Sequence, residues 1–247
     1  MVHSCDTASN YTTNTTFETN LDTALNTLPT TNSGLGFFNI SIGQGTNTVN
    51  SIALCRGDIN PDVCQSCLSD SIVKLRQICP NQKEAVGYYD YCMLKYSDKN
   101  ILRQTGFSYQ QLVNPEKVID ISQFNEDLRP LLNNLKREAA AGDSLRKFAC
   151  GNSTGDVANI YALVECTPDL SELQCNNCLE DSFSKINEIL NGAIAGRIVK
   201  PMCAFRYKTW KFFNQSTNLN IPVPSRPSEK VAVKNVHVRQ VVKWIIK

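Results

Sequence analysis

The sequence predicts an α+β protein of two tandem, disulfide-stapled modules, each with two helices and several strands. Three observations predict it. Cys55, Cys64, Cys67 and Cys92 recur as Cys166, Cys175, Cys178 and Cys203, every pair 111 residues apart, and self-similarity at one fixed period marks a repeated structural unit. An apolar stripe recurs upstream: Phe17, Leu21, Leu25 and Leu28 answer to Phe124, Leu128, Leu132 and Leu135 at an offset of 107. The helical patterns and the β-rich stretches do not alternate strictly within a copy, which separates the module from a parallel βαβ fold.

Phe, Leu, Leu and Leu at i, i+4, i+8 and i+11 line one face of a helix in each copy. Pro130 is read as an early-turn residue of the second such helix. The four extra residues between the two offsets fall around Ala139-Ala140-Ala141-Gly142. After each Cys-x2-Cys-Leu, Leu68 to Ile78 and Leu179 to Leu190 pattern as amphipathic helices. Ala85 to Tyr96 and Ile198 to Phe213, rich in Val, Tyr and Phe, pattern as strands. The register is tight: Leu68, Asp70 and Tyr96 answer to Leu179, Asp181 and Tyr207. A first module over 1–109, a linker over 110–120, a second module over 121–216 and an extension over 217–247 follow. The extension opens on the Pro-rich spacer Ile221-Pro-Val-Pro-Ser-Arg-Pro, and its Val231 to Lys247 end has no counterpart in the first copy.

The 247 residues are 42% hydrophobic, enough for real cores. A net charge of +2, from 25 basic and 23 acidic residues, creates no field that would steer a phosphate backbone, so nucleic acid is not an expected partner. Eleven cysteines call for a disulfide framework or metal sites. Sequons at Asn10, Asn14, Asn39, Asn152 and Asn214 favour the secretory route, and with it glycosylation and disulfides. Met1-Val2-His3-Ser4 runs directly into Cys5 with no basic and apolar leader, so a mature form or a chain shown without its signal peptide is expected. No apolar run reaches 18 residues, so no membrane span is expected in this chain.

Chemistry finds few footholds. Cys64-Gln-Ser-Cys67 and Cys175-Asn-Asn-Cys178 have the spacing of redox dithiols, but each has a third cysteine nearby as a structural partner. Cys64, Cys67, Cys79 and Cys92 would suit a zinc site, yet the second copy lacks the equivalent of Cys79. The only histidines, His3 and His237, lie in the terminal segments, so no triad or His-based acid–base pair is expected. Val231-Ala-Val-Lys234 is similar to the strand that carries the ATP lysine of kinases, but no glycine-rich loop precedes it. No enzyme, cofactor or metal is expected; a thiol oxidoreductase or zinc protein is the remaining chemical alternative.

Cys55-x8-Cys64-x2-Cys67 and Cys166-x8-Cys175-x2-Cys178 resemble the signature of the plant cysteine-rich, ginkbilobin-homologous domain. The likeness extends to Leu54-Cys-Arg-Gly-Asp58 and to the Cys-x3-Tyr of Cys92 to Tyr96 and Cys203 to Tyr207, and spans Cys5 to about Phe213. A tandem pair resembles the cysteine-rich repeat secretory proteins and the ectodomains of cysteine-rich receptor-like kinases and plasmodesmata-located proteins. The resemblance implies two helices on a five-stranded antiparallel sheet per module, with bridges Cys5–Cys79, Cys55–Cys64, Cys67–Cys92, Cys166–Cys175 and Cys178–Cys203. The third bridge of the second copy does not carry over, because Leu190 answers to Cys79 and Glu116 stands where Cys5 would; Cys150 is left as an inert thiol or an intermolecular bridge.

The resemblance further implies a secreted, apoplastic binding protein of plant defence or stress, with cell-wall or fungal glycans as candidate ligands. The ginkgo antifungal member binds mannose through an Asn, an Arg and a Glu. Those positions read Asp6, Val86 and Ser97 in the first copy, and Arg197 and Lys208 in the second, so the set is incomplete and Arg197 is its surviving clamp. A receptor-like or plasmodesmal ectodomain acting through extracellular protein partners is the alternative.

Overall fold

A computed structural model of the chain describes residues 1–30, 36–104 and 109–213. The first module runs β1 (Val2–Cys5), α1 (Thr16–Thr27), β2 (Phe37–Ile42), β3 (Val49–Cys55), α2 (Pro61–Ile78), β4 (Ala85–Tyr88) and β5 (Cys92–Ser97). The second repeats it as β6 (Gln110–Val113), α3 (Ile121–Ala140), β7 (Lys147–Thr154), β8 (Asn159–Cys166), α4 (Glu172–Ser184), β9 (Ala195–Val199) and β10 (Cys203–Lys208). Both sheets are antiparallel and share one topology, β1-β4-β5-β3-β2 and β6-β9-β10-β8-β7.

The apolar stripes become the helix faces that cover each sheet. Phe17, Leu21, Leu25 and Leu28 are buried in the first module, and Phe124, Leu128, Leu132 and Leu135 in the second; each such side chain contributes about 1.5–3 kcal/mol by leaving water. Asp120 caps α3 by accepting from the Gln123 N–H at 3.0 Å. Ser171 and Gln174 form a reciprocal capping box on α4.

The expected strand stretches are hairpins. Ala85–Tyr96 divides into β4 and β5, and the second stretch into β9 and β10, with turns at 89–91 and 200–202. The linker expected over 110–120 begins with a strand, since β6 pairs with β9 as the second module's edge. Register also corrects the residue that replaces Cys5: Cys5 stands opposite Ala85 and Val113 opposite Gly196, so Val113, not Glu116, occupies that place. Pro130 lies well inside α3 rather than in its first turn. The stretch read as a helix to Leu190 is α4 followed by a π-type turn over Ile186–Leu190.

Five disulfides join Cys5–Cys79, Cys55–Cys64, Cys67–Cys92, Cys166–Cys175 and Cys178–Cys203. They tie each sheet to its second helix, and Cys5–Cys79 additionally ties β1 to the end of α2; each contributes about 2–4 kcal/mol against the unfolded chain. The two cysteines of each C-x-x-C thus belong to different bridges, which removes the dithiol, and the four thiols of the zinc alternative are likewise spoken for.

Strands β3, β4 and β5 are apolar on both faces. Ala53, Ala85, Leu94 and Tyr96 pack under α1 and α2, whereas Ile52, Val86, Tyr88 and Met93 join a core shared with the second module. A sheet with two apolar faces must be covered twice, and here the second cover is the other module. Val231–Lys247 and the kinase-like Val231 to Lys234 lie outside the described residues.

Candidate functional site

The junction of the modules gathers a group of buried charges. The turn after β3 sets Arg56 against Asp58, Nε to Oδ1 at 2.5 Å and Nη2 to Oδ2 at 2.8 Å, with side chains 8% and 2% exposed. Such a fork-to-fork pair fixes geometry as well as charge. Arg56 also donates to the Asp90 carbonyl at 3.3 Å, reaches the Phe212 carbonyl of the second module at 3.5 Å, and lies 5.0 Å from the Tyr91 ring centroid. Across the seam, Arg146 donates to the Gly57 carbonyl at 2.7 Å and Arg206 to Asp90 Oδ1 at 3.1 Å.

Arg197, expected as a sugar clamp, donates to the Tyr89 carbonyl at 2.7 Å. It is a seam residue of β9, and burial pulls its pKa down. The first module's corresponding positions are also consumed: Val86 lies in the shared core, and buried Ser97 donates to Glu84 Oε2 at 3.1 Å. Asp6 caps its own turn by accepting from the Ala8 N–H at 3.0 Å. Among the described residues, no contact brings Asp6 to Arg197 or Lys208. Arg197 and Val86 are thus engaged at the seam, and Ser97 within its own module.

Lys208 lies 4.8 Å from the Trp210 ring centroid and 5.4 Å from that of Phe212, on which Arg206 also stacks at 5.0 Å. Partial burial and the neighbouring Arg206 draw the Lys208 pKa down. Tyr91 and Trp210 remain 45% and 42% exposed, so the seam ends in a surface of two open aromatic rings flanked by cations. Asn10, Asn14, Asn39 and Asn152 are exposed, and Asn214 lies outside the described residues.

Cys150 sits half-buried on β7, where burial, with Asp58 and Glu138 adding, pushes its thiol up to about 11. It is protonated at neutral pH, the state of an inert thiol.

Glu165 on β8 faces the same seam. Burial raises its pKa, with Arg197 and Arg56 opposing, and its Oε2 has no hydrogen-bond partner. Folded protein then holds a proton that the unfolded chain has lost, so stability falls as pH rises from the ordinary glutamate value to the raised one. Glu165→Gln is expected to raise Tm at pH 7, and to lose that advantage below about pH 4, where wild-type Glu165 is neutral in both states. Thermal melts of both proteins across pH 3–8 measure this.

Sequence reasoning singled out Arg197 and Lys208 but missed Arg56, Asp90, Glu165 and Trp210 as one neighbourhood. The available signal was Arg56-Gly-Asp58 itself, which the second copy replaces by Thr167-Pro-Asp169.

The salt stress response/antifungal family model matches residues 4–99 and 112–210. In Arabidopsis thaliana, cysteine-rich repeat secretory protein 38 is 35% identical over 214 residues, covering 86% of this chain and 85% of that one. Putative cysteine-rich receptor-like protein kinase 20 is 36% identical over 236 residues, covering 92% of this chain and 34% of the relative. The chain thus spans about a third of the length of the first kinase relatives it matches. The tandem DUF26 ectodomain of the Arabidopsis cysteine-rich receptor-like protein PDLP8 superposes with a TM-score of 0.76 at 23% identity, covering 85% of this chain and 98% of that one. That of PDLP5 gives 0.70 at 21% identity, over 85% and 99%.

Proposed function

Because this chain belongs to the salt stress response/antifungal family, as a tandem member of the cysteine-rich repeat secretory and receptor-ectodomain type, we propose that it is an extracellular, non-enzymatic recognition protein of defence or stress that works through protein contacts. The observation that carries this reading is the seam surface of Tyr91, Arg206, Lys208 and Trp210. Tyr, Trp and Arg are the residues that dominate binding energy at protein interfaces, and this surface requires both modules, since Tyr91 comes from one and the other three from its neighbour. The glycan reading loses its main support with Arg197, whose guanidinium is engaged by a backbone carbonyl.

The test is surface-binding measurements of the secreted, glycosylated protein against a panel of plant extracellular domains, with a mannoside array in parallel. Binding to at least one domain, weakened tenfold or more by Trp210→Ala, is the expected result; roughly 1.4 kcal/mol at one anchor suffices for that. Mannoside binding abolished by Arg197→Ala, with no protein bound, would overturn the proposal.

A further inference from the structure

The internal repeat provides its own reference for what is unusual in the second module. In the first, Arg76 of α2 crosses to α1, with Nη1 2.6 Å from Asp22 Oδ1, Nη2 3.6 Å from Glu18 Oε1 and its guanidinium 6.0 Å from the Tyr11 ring centroid. Cys5–Cys79 then pins the end of α2. These contacts tie the two helices to one another across the groove between them.

Under the same offsets the second module carries Asn125 for Glu18, Arg129 for Asp22 and Asn187 for Arg76. The acid–base–acid staple is gone, and the disulfide with it. Where α2 runs regularly to Ile78, its counterpart breaks after Ser184 into the π-type turn that carries Asn187. A groove of about 520 Å³ is left between α3 and that turn, edged by Ser122, Asn125, Glu126, Arg129, Pro130 and Asn187.

Two features of this groove call for a donor. Asn125 Oδ1 is buried with no hydrogen-bond partner, an unfavourable state for a polar atom. Pro130, inside the helix, returns no N–H to the Glu126 carbonyl four residues back. Donors stand beside them: the Arg129 guanidinium makes no ion pair among the described residues, and Asn187 offers an amide.

We propose that this groove binds an extended peptide segment of a partner protein, three or four residues long. Ser122, Asn125, Glu126 and Arg129 follow one another along one helix face over about 10 Å, and an extended chain covers that in about three residues. A peptide backbone presents N–H and C=O groups in a line, as this row of acceptors and donors requires. A saccharide would more commonly rest on an aromatic platform, and no aromatic ring lines the groove. Glu126 and Arg129 offset one another, so the segment is near neutral. This inference rests on the protein-recognition reading above but places a second contact on a different surface.

The experiment pans a phage-displayed library of random linear heptapeptides on the secreted full chain. Selected peptides are then measured against Arg129→Asp/Asn187→Arg, which rebuilds the first module's ion pair across the groove, and against Asn125→Leu, which removes the acceptor without closing it. Circular dichroism and Tm establish that both variants fold. The expected result is a loss of tenfold or more on each variant, with no change on Trp210→Ala. No enriched peptide, or peptides that bind the stapled variant as well as wild type, would overturn the groove site. Peptides lost on Trp210→Ala alone would overturn it while leaving the seam reading standing, and groove peptides without any seam-dependent partner would do the reverse. Glycan-array binding abolished by the stapled variant would replace the peptide by a saccharide.

Discussion

Arg56→Ala is expected to lower the unfolding free energy by about 3–5 kcal/mol, the range for removing one partner of a buried ion pair. Arg56 and Asp58 are nearly inaccessible, and the substitution leaves the Asp58 carboxylate without the guanidinium that grips it through two oxygens. It also removes the contacts that Arg56 makes with the Asp90 and Phe212 carbonyls and the Tyr91 ring. The loss comes chiefly from taking the guanidinium away from a buried carboxylate, so Arg56→Ala/Asp58→Ala should be less damaged than Arg56→Ala alone. Guanidinium denaturation of the three proteins reads both quantities. A loss under 1 kcal/mol would mean that water replaces the guanidinium and that the seam is wetter than the structure describes.

Much of this architecture was legible because the repeat prints it twice. The stripes of Phe17 to Leu28 and Phe124 to Leu135 defined one face of each first helix, and the 111-residue spacing aligned the strands that hold Cys92 and Cys203. What failed did so for physical reasons. Gln110–Val113 is a short, largely exposed edge strand, so it lacks the alternation that reveals half-buried strands. Pro130 reads as an early-turn residue because a proline inside a helix is costly, yet α3 tolerates it on its exposed side.

The seam was less legible still. Arg197 has the chemistry of a sugar clamp, and nothing in its neighbours indicates that a carbonyl from the other module, Tyr89 O, is its partner. Apolar residues on both faces of β3 and β4 were the readable sign that the first sheet needs a second cover. Which charged residues would frame that cover depends on docking, and docking is not a local property of the sequence.

The seam also makes a prediction of its own at Gly57. Its backbone is not in the left-handed region, so glycine is required here for space alone. A Cβ at this position would stand 2.4 Å from Phe148 Cγ and 2.8 Å from Phe148 Cβ. Those atoms are the root of the side chain, so rotating the ring cannot clear them and β7 itself must move. Gly57 and Phe148 belong to different modules, so Gly57→Ala should push the modules apart while leaving each helix–sheet core and its disulfides in place. The expected cost is about 1–3 kcal/mol, as for other overpacked sites, with a larger radius of gyration by small-angle scattering and weaker binding at the Tyr91–Trp210 surface. Phe148→Ala removes two of the three clashing atoms, Cγ and Cδ1, and leaves Cβ. In the double variant part of the Gly57→Ala penalty should therefore vanish, giving a coupling of about 1 kcal/mol. If the two changes proved additive, Gly57 and Phe148 would not be in contact in solution, and the single rigid pair on which the seam surface depends would have to be given up.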